Sequence, residues 1–152
     1  MKKEYESLDE MIKDAKKRAL SILQRRDKTT KELTDKLTED GFPSSVVNAA
    51  IEYVMSYHYL DDLRYAENYI RYHKNQKSKT AVKLYLREKG VDAETIDTAI
   101  ANEYDNDEKE MIRELLKKRH YNPEEADYKE KNKMIAYCIR RGFSLEDIKS
   151  LL

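Results

Sequence analysis

The sequence predicts an all-α fold, an elongated array of three tandem three-helix repeats. Apolar residues recur three and four positions apart along most of the 152-residue chain, which places them on single helix faces. No alternating pattern typical of strands occurs. The three glycines of the sequence, Gly41, Gly90 and Gly142, lie 49 and 52 residues apart, and similar flanks around them indicate an internal repeat.

The flanks of the glycines share apolar positions at the same distances. Four and eight residues before each glycine, and six and ten after it, stand Leu33, Leu37, Val47 and Ile51, then Val82, Leu86, Ile96 and Ile100, then Met134, Cys138, Ile148 and Leu152. Because residues four apart share a helix face, one helix should end at each glycine and another should follow. Glycine suits the left-handed C′ position that ends a helix. A further apolar helix precedes each pair.

The predicted organisation is a polar helical lead-in at residues 1–14, followed by repeats at 15–60, 61–105 and 106–152. Each repeat is near the lower size limit for independent folding, so neighbouring repeats should pack together. Half of the 12 tyrosines lie across the first junction: Tyr53, Tyr57, Tyr59, Tyr65, Tyr69 and Tyr72. We predict that they pack the first two repeats together, and a stacking platform for bases is the alternative.

Composition argues against membrane and secreted classes. The chain is 39% charged, and no apolar run approaches the roughly 18 residues of a membrane span. The N-terminal segment lacks the apolar centre of a secretory signal. The single cysteine, Cys138, excludes an internal disulfide and suits a reducing compartment. A cytoplasmic protein without membrane association is therefore expected.

The residues that usually carry chemistry are scattered. His58, His73 and His120 stand far from one another and from Cys138, which argues against a zinc cluster and a Cys/His nucleophile pair. No glycine-rich phosphate loop is present. The pair Asp61-Asp62 is interpreted as a helix start with a favourable first-turn charge, rather than an acid–base dyad. The chain is therefore predicted not to be an enzyme and to need no cofactor or metal.

Positive charge is clustered, although 30 Lys+Arg balance 30 Asp+Glu. Residues 71–89 hold seven Lys/Arg against one acid, and residues 13–31 hold eight against two. If the repeats stack regularly, these stretches form a basic face for an anionic partner. The alternative is ordinary solvated surface, with cations favoured near helix C-termini. The candidate partner-binding residues are Arg25, Arg26, Arg71, Lys74, Lys77, Lys79, Lys83 and Arg87.

The segment Tyr59 to Arg71, YLDDLRYAENYIR, resembles the signature of the RecX family, bacterial regulators of the RecA recombinase. The matching residues there are Leu60, Asp61, Asp62, Arg64, Tyr65, Ala66 and Arg71. The likeness covers roughly residues 15–152 and includes Gly41 and Gly90. Together with Gly142, these two glycines complete the set of structural signature residues. His58 stands where the family usually has glycine, Lys79 where glycine is common, and the third repeat is divergent.

The resemblance implies a regulator that binds the RecA–DNA filament along its groove, and we expect the protein to be a monomer. Such a protein would limit filament extension, ATP hydrolysis and strand exchange in homologous recombination, DNA repair and the SOS response. It implies no catalytic role for the Leu-Asp-Asp signature. Some members of the family also bind DNA, so direct binding of single- or double-stranded DNA is the alternative function.

Overall fold

The computed structural model describes residues 4–152, which form nine α-helices and no strand. The helices are α1 Leu8–Arg25, α2 Thr30–Glu39, α3 Ser44–Ser56, α4 Asp62–Tyr72, α5 Lys79–Glu88, α6 Ala93–Glu103, α7 Glu108–Lys118, α8 Tyr128–Arg140 and α9 Leu145–Leu151. The predicted all-α class is confirmed.

Helix α1 runs unbroken through the boundary predicted between residues 14 and 15. It begins after Ser7, whose side chain accepts a hydrogen bond from the Glu10 amide. Met11 and Ile12 pack against the buried core, so the apolar face of α1 starts before residue 15. The predicted lead-in and first helix are therefore one element from Leu8 onward. Residues 1–3 of the lead-in lie outside the described residues.

Each glycine ends a helix in the left-handed conformation, as predicted. The φ angles of Gly41, Gly90 and Gly142 are 100°, 86° and 92°. The amide after each glycine donates to the carbonyl five residues before it, from Phe42 to Leu37, for example, at 3.3 Å. This is the Schellman arrangement, and the apolar residue after each glycine is buried.

His58 occupies the same kind of position at the end of α3. Its φ angle is 60°, and the Tyr59 amide donates to the Val54 carbonyl at 2.9 Å. A left-handed helix end normally favours glycine because a side chain there is strained. Glycine would adopt this conformation without that strain.

The chain divides into two compact units. The first contains the residues up to Ala66 together with Leu86–Ile96, and the second contains Glu67–Tyr85 and Asp97–Leu152. The core of the first unit consists of Ala15, Ala19, Ile22, Leu33, Leu37, Phe42, Val46, Val47, Ala50, Ile51, Val54 and Leu60. A core of the second consists of Met111, Ile112, Leu115, Leu116, Met134, Cys138, Phe143 and Ile148. The middle predicted repeat contributes to both units.

The prediction that six tyrosines pack the first two repeats together is wrong for three of them. Tyr57, Tyr59 and Tyr72 are 58%, 51% and 81% exposed. Tyr57 and Tyr59 flank the left-handed turn at His58, and Tyr72 is the last residue of α4, so all three lie at helix ends. Helical spacing predicts a buried apolar face only along a helix. These three residues lie where a helix ends, so that face does not extend to them.

Candidate partner-binding surface and repeat junctions

The signature segment, Tyr59 to Arg71, covers the turn before α4 and almost the whole of that helix. Leu60 and Ala66 are buried, and Tyr65 is half-buried. The Asp61 carboxylate accepts a hydrogen bond from the Arg64 amide at 3.0 Å. Asp61 therefore caps the N-terminus of α4, which confirms the predicted capping role.

Asp62 caps a different helix. Its Oδ1 accepts hydrogen bonds from the Thr30 amide at 2.8 Å and from the Thr30 hydroxyl at 3.0 Å. Thr30 is the first residue of α2, so this carboxylate satisfies an amide that the helix itself leaves without an acceptor. Both acids of the pair are thus engaged at helix N-termini, and the role of Asp62 at α2 was not predicted.

The N-terminus of α2 also contacts the C-terminus of α5. Thr29, fully buried, forms a capping box with Glu32, and its hydroxyl donates to the Lys89 carbonyl at 2.6 Å. The Lys89 ammonium lies 3.5 Å from the Glu32 carboxylate. A Cβ atom on Gly90 would overlap the Cβ of Lys31. Only glycine therefore fits this first junction, for both its φ angle and its space.

The same arrangement recurs in the second unit. Ser78, fully buried, accepts from the Ala81 amide at 3.1 Å and donates to the Gly142 carbonyl at 2.7 Å. The Glu108 carboxylate accepts from the Lys79 amide at 2.6 Å. A Cβ on Gly142 would come within 2.8 Å of the Ala81 Cβ. These groups correspond to Thr29, Thr30, Asp62 and Gly90 of the first junction.

Sequence reasoning missed both junctions, although a signal was present. Thr29 and Ser78 each stand 12 residues before a glycine, at Gly41 and Gly90. A hydroxyl at matching distances from two helix-ending glycines indicates a shared structural role. Its partner could not be found in the same way, because that partner lies 60 or more residues away along the chain.

Removal of the Asp62 carboxylate should destabilise the protein. We expect Asp62→Ala to lower the free energy of unfolding by about 0.5–2 kcal/mol, the usual cost of losing a helix cap. Urea unfolding measures the change, with Glu108→Ala as the matched variant at the second junction. An Asp62→Ala protein as stable as the wild type would show that this cap contributes nothing to α2.

The basic stretch of the middle repeat is partly neutralised by acids of α6 and the segment after it. Three of its six candidate residues form ion pairs: Arg71 with Glu103 at 3.1 Å, Lys74 with Asp105 at 3.5 Å, and Lys83 with Asp97 at 3.9 Å. Since all three cations keep more than two fifths of their side-chain surface exposed, the pairs are weak ones.

Lys77 and Lys79 are engaged with aromatic rings. Lys77 Nζ donates to the Tyr69 hydroxyl at 2.7 Å and lies above the rings of Tyr69 and Tyr85, which stack 4.0 Å apart. Lys79 Nζ lies 5.7 Å from the centre of the Tyr104 ring. A charge change at Lys77 would therefore remove a hydrogen bond and the contacts with two aromatic rings.

The other candidate cations have different surroundings. Arg87 is exposed, and none of the ion pairs within residues 4–152 includes it. Arg25 and Arg26 line a cleft of about 470 Å³, where Glu32 and Asp35 lie on the opposite wall formed by α2. This cleft therefore carries both signs of charge.

A further group of cations, outside the candidate set, surrounds Tyr137. The guanidinium carbons of Arg119 and Arg141 lie 4.0 Å and 4.6 Å from the centre of its ring. Burial raises the pKa of Tyr137, but the hydrogen bonds and charges of the two arginines outweigh burial and hold that pKa below its usual value. The sequence feature that could have indicated this group of cations is the Arg140-Arg141 pair just before the third glycine.

Neither a metal centre nor a membrane span is found in the described part of the chain. Within residues 4–152, no three His, Cys, Asp or Glu side chains are grouped so that they could hold a metal ion. None of the helices in that range combines the length and the apolar character needed to cross a bilayer.

Comparison with protein families finds a match for three successive segments of the chain. The first, second and third three-helix domains of RecX match residues 15–53, 61–100 and 106–152. The chain belongs to the RecX family. Regulatory protein RecX of Clostridium acetobutylicum is 36% identical over 91% of this chain and 67% of its own length. Regulatory protein RecX of Vibrio campbellii is 32% identical over 97% of this chain and 96% of its own length.

A solved RecX structure has the same fold. The crystal structure of RecX from Lactobacillus salivarius superimposes with a TM-score of 0.78 at 26% sequence identity. The match covers 94% of this chain and 95% of that protein. Together with the three domain matches, this likeness confirms both the resemblance seen in the signature segment and the tandem three-helix organisation of the fold.

Proposed function

We propose that this RecX-family chain regulates the RecA recombinase by binding the RecA–DNA filament and limiting its extension, ATP hydrolysis and strand exchange. The observation that carries the proposal is the match of all three three-helix domains to RecX, whose relatives are named as regulatory proteins. The repeats at 15–60, 61–105 and 106–152 would be the binding modules of a cytoplasmic monomer that acts without a cofactor.

The proposed partner-binding residues are the cations of the basic stretch in the middle repeat, and also Arg25 and Arg26. The filament is strongly anionic through its DNA, and a basic surface steers encounter with such a partner. The ion pairs that now neutralise Arg71, Lys74 and Lys83 are exposed, and such pairs contribute only about 0–1 kcal/mol each. These cations can therefore exchange an acid of this chain for a phosphate at little cost.

A non-enzymatic role is consistent with the use of the carboxylates. Asp61, Asp62 and Glu108 all accept amides at helix N-termini, where they satisfy donors that would otherwise lack acceptors. A carboxylate held this way is a structural element. Inhibition is accordingly proposed to follow from binding alone.

Sedimentation with preassembled RecA filaments on single-stranded DNA tests the proposal. We expect the protein to pellet with filaments, to remain in the supernatant without them, and to lower the RecA ATPase rate in the same samples. Arms with RecA alone and with DNA alone identify which component is bound. A protein that stays in the supernatant in every arm, at an unchanged ATPase rate, would refute the proposal.

Direct binding of DNA through phosphates is the second candidate function. Arg119, Lys133 and Arg140 line a cleft of about 360 Å³ beside Tyr137, and that lining contains no carboxylate. Phosphate contacts release counterions, so affinity measured without RecA should fall steeply with salt. A salt-independent affinity would argue against this candidate.

A further inference from the structure

We propose that Tyr57 and Tyr59 form a stacking platform for the unpaired bases of single-stranded DNA. Their rings lie 6.0 Å apart with 20° between the planes, and more than half of each side chain is exposed. Tyr53 adds a third ring, edge-on to Tyr57 at 5.0 Å. Exposed aromatic rings of this kind are what single-strand-binding proteins offer to successive bases, because every base has a planar face that can stack.

The backbone of the turn that carries the two rings is held by hydrogen bonds from a side chain. His58, between them, has the left-handed conformation that closes the end of α3. The Arg64 guanidinium donates to the His58 carbonyl at 2.7 Å and to the Tyr59 carbonyl at 3.2 Å. A backbone held in this way need not be ordered when a ligand binds, which favours affinity.

Positive charge lies beside the rings. Lys16 Nζ is 4.5 Å from the centre of the Tyr53 ring, and the Arg64 guanidinium faces the turn. Within the described residues, neither cation takes part in an ion pair. Lys16 also belongs to the basic stretch at residues 13–31. Aromatic rings beside cations that form no ion pair are suited to a ligand that contains both planar groups and phosphates.

A cleft continues from the platform toward α1. It measures about 470 Å³, which is within the range of small-molecule sites. Leu20 and Leu23 supply apolar surface, while Gln24 and Arg64 supply hydrogen-bonding groups. A base could lie against the leucines and bond through its edge to the amide or the guanidinium. The combination of cations and hydrogen-bonding groups favours an oligonucleotide over an apolar peptide.

The proposal is tested with the protein and DNA alone, so its outcome is independent of RecA. Binding is measured by fluorescence anisotropy to an oligo-dT strand of about 20 nucleotides and to an abasic strand of equal length. We expect Tyr57→Ala/Tyr59→Ala to weaken oligo-dT binding at least tenfold, about 1.4 kcal/mol. Tyr57→Phe/Tyr59→Phe should bind as the wild type does, and all variants should bind the abasic strand equally.

A matched control and a second readout complete the test. Tyr72→Ala removes an exposed tyrosine of the second unit and should leave oligo-dT binding unchanged. The chain contains no tryptophan, so Tyr57→Trp introduces a single reporter whose emission should be quenched by oligo-dT but not by the abasic strand. Equal wild-type affinity for the two strands, or wild-type oligo-dT binding by the alanine pair, would overturn the proposal. So would the absence of quenching.

Discussion

Replacement of Gly90 by valine should lower the free energy of unfolding by roughly 2–5 kcal/mol. A β-branched residue held at a φ angle of 86° loses about 1–2 kcal/mol to the clash of its Cβ with the backbone. The new Cβ would also overlap the Cβ of Lys31 at the N-terminus of α2, and overpacking of this kind costs about 1–3 kcal/mol. The loss is large beside the roughly 5–15 kcal/mol of total stability that domains have.

Gly41→Val is the matched control for this prediction. Gly41 also has a positive φ angle, 100°, but it is exposed. We therefore expect mainly the backbone cost of about 1–2 kcal/mol. Urea unfolding of both variants separates the two contributions. Equal losses at the two positions would mean that the junction between α2 and α5 relaxes to accept a side chain.

Neutralisation of the middle basic stretch should weaken filament binding at least tenfold, about 1.4 kcal/mol. The variant replaces Lys74, Lys79, Lys83 and Arg87 by Gln and keeps Lys77, because Lys77 packs over two stacked tyrosines. The expected loss comes from removing four charges that would face the DNA phosphates. Sedimentation with RecA filaments over a range of protein concentrations measures the change.

An equal loss of charge elsewhere is the control. Lys109, Lys129, Lys131 and Lys149 are exposed, and replacing them by Gln lowers the net charge by the same amount. We expect this control to bind filaments nearly as the wild type does, and both variants to unfold at similar urea concentrations, because exposed ion pairs contribute little. If the two variants bind equally weakly, net charge alone sets affinity. If both bind normally, the contact lies elsewhere, with the arginines around Tyr137 as the next candidates.

The local features of this protein follow from its sequence alone. Leu33 and Leu37 share a helix face because they are four residues apart, and Gly41 ends that helix because the left-handed conformation costs glycine least. Asp61 caps α4 because its carboxylate needs only the amide three residues later. Such interactions span a few residues, so the order of the helices, the helix ends at the three glycines and the repeat were predictable without any knowledge of packing.

Only the tertiary structure decided which distant groups meet. Asp62 accepts from Thr30, 32 residues earlier, and Thr29 donates to Lys89, 60 residues later. The tertiary structure also places Asp97 beside Lys83, and it leaves Tyr57 and Tyr59 about half exposed. Helical periodicity states which face of a helix is apolar, but not which helix covers that face or where the covering ends. The hydrogen-bond and ion-pair partners of polar side chains depend on which helices pack together. The tertiary structure therefore determines how much of the basic surface remains available to a binding partner.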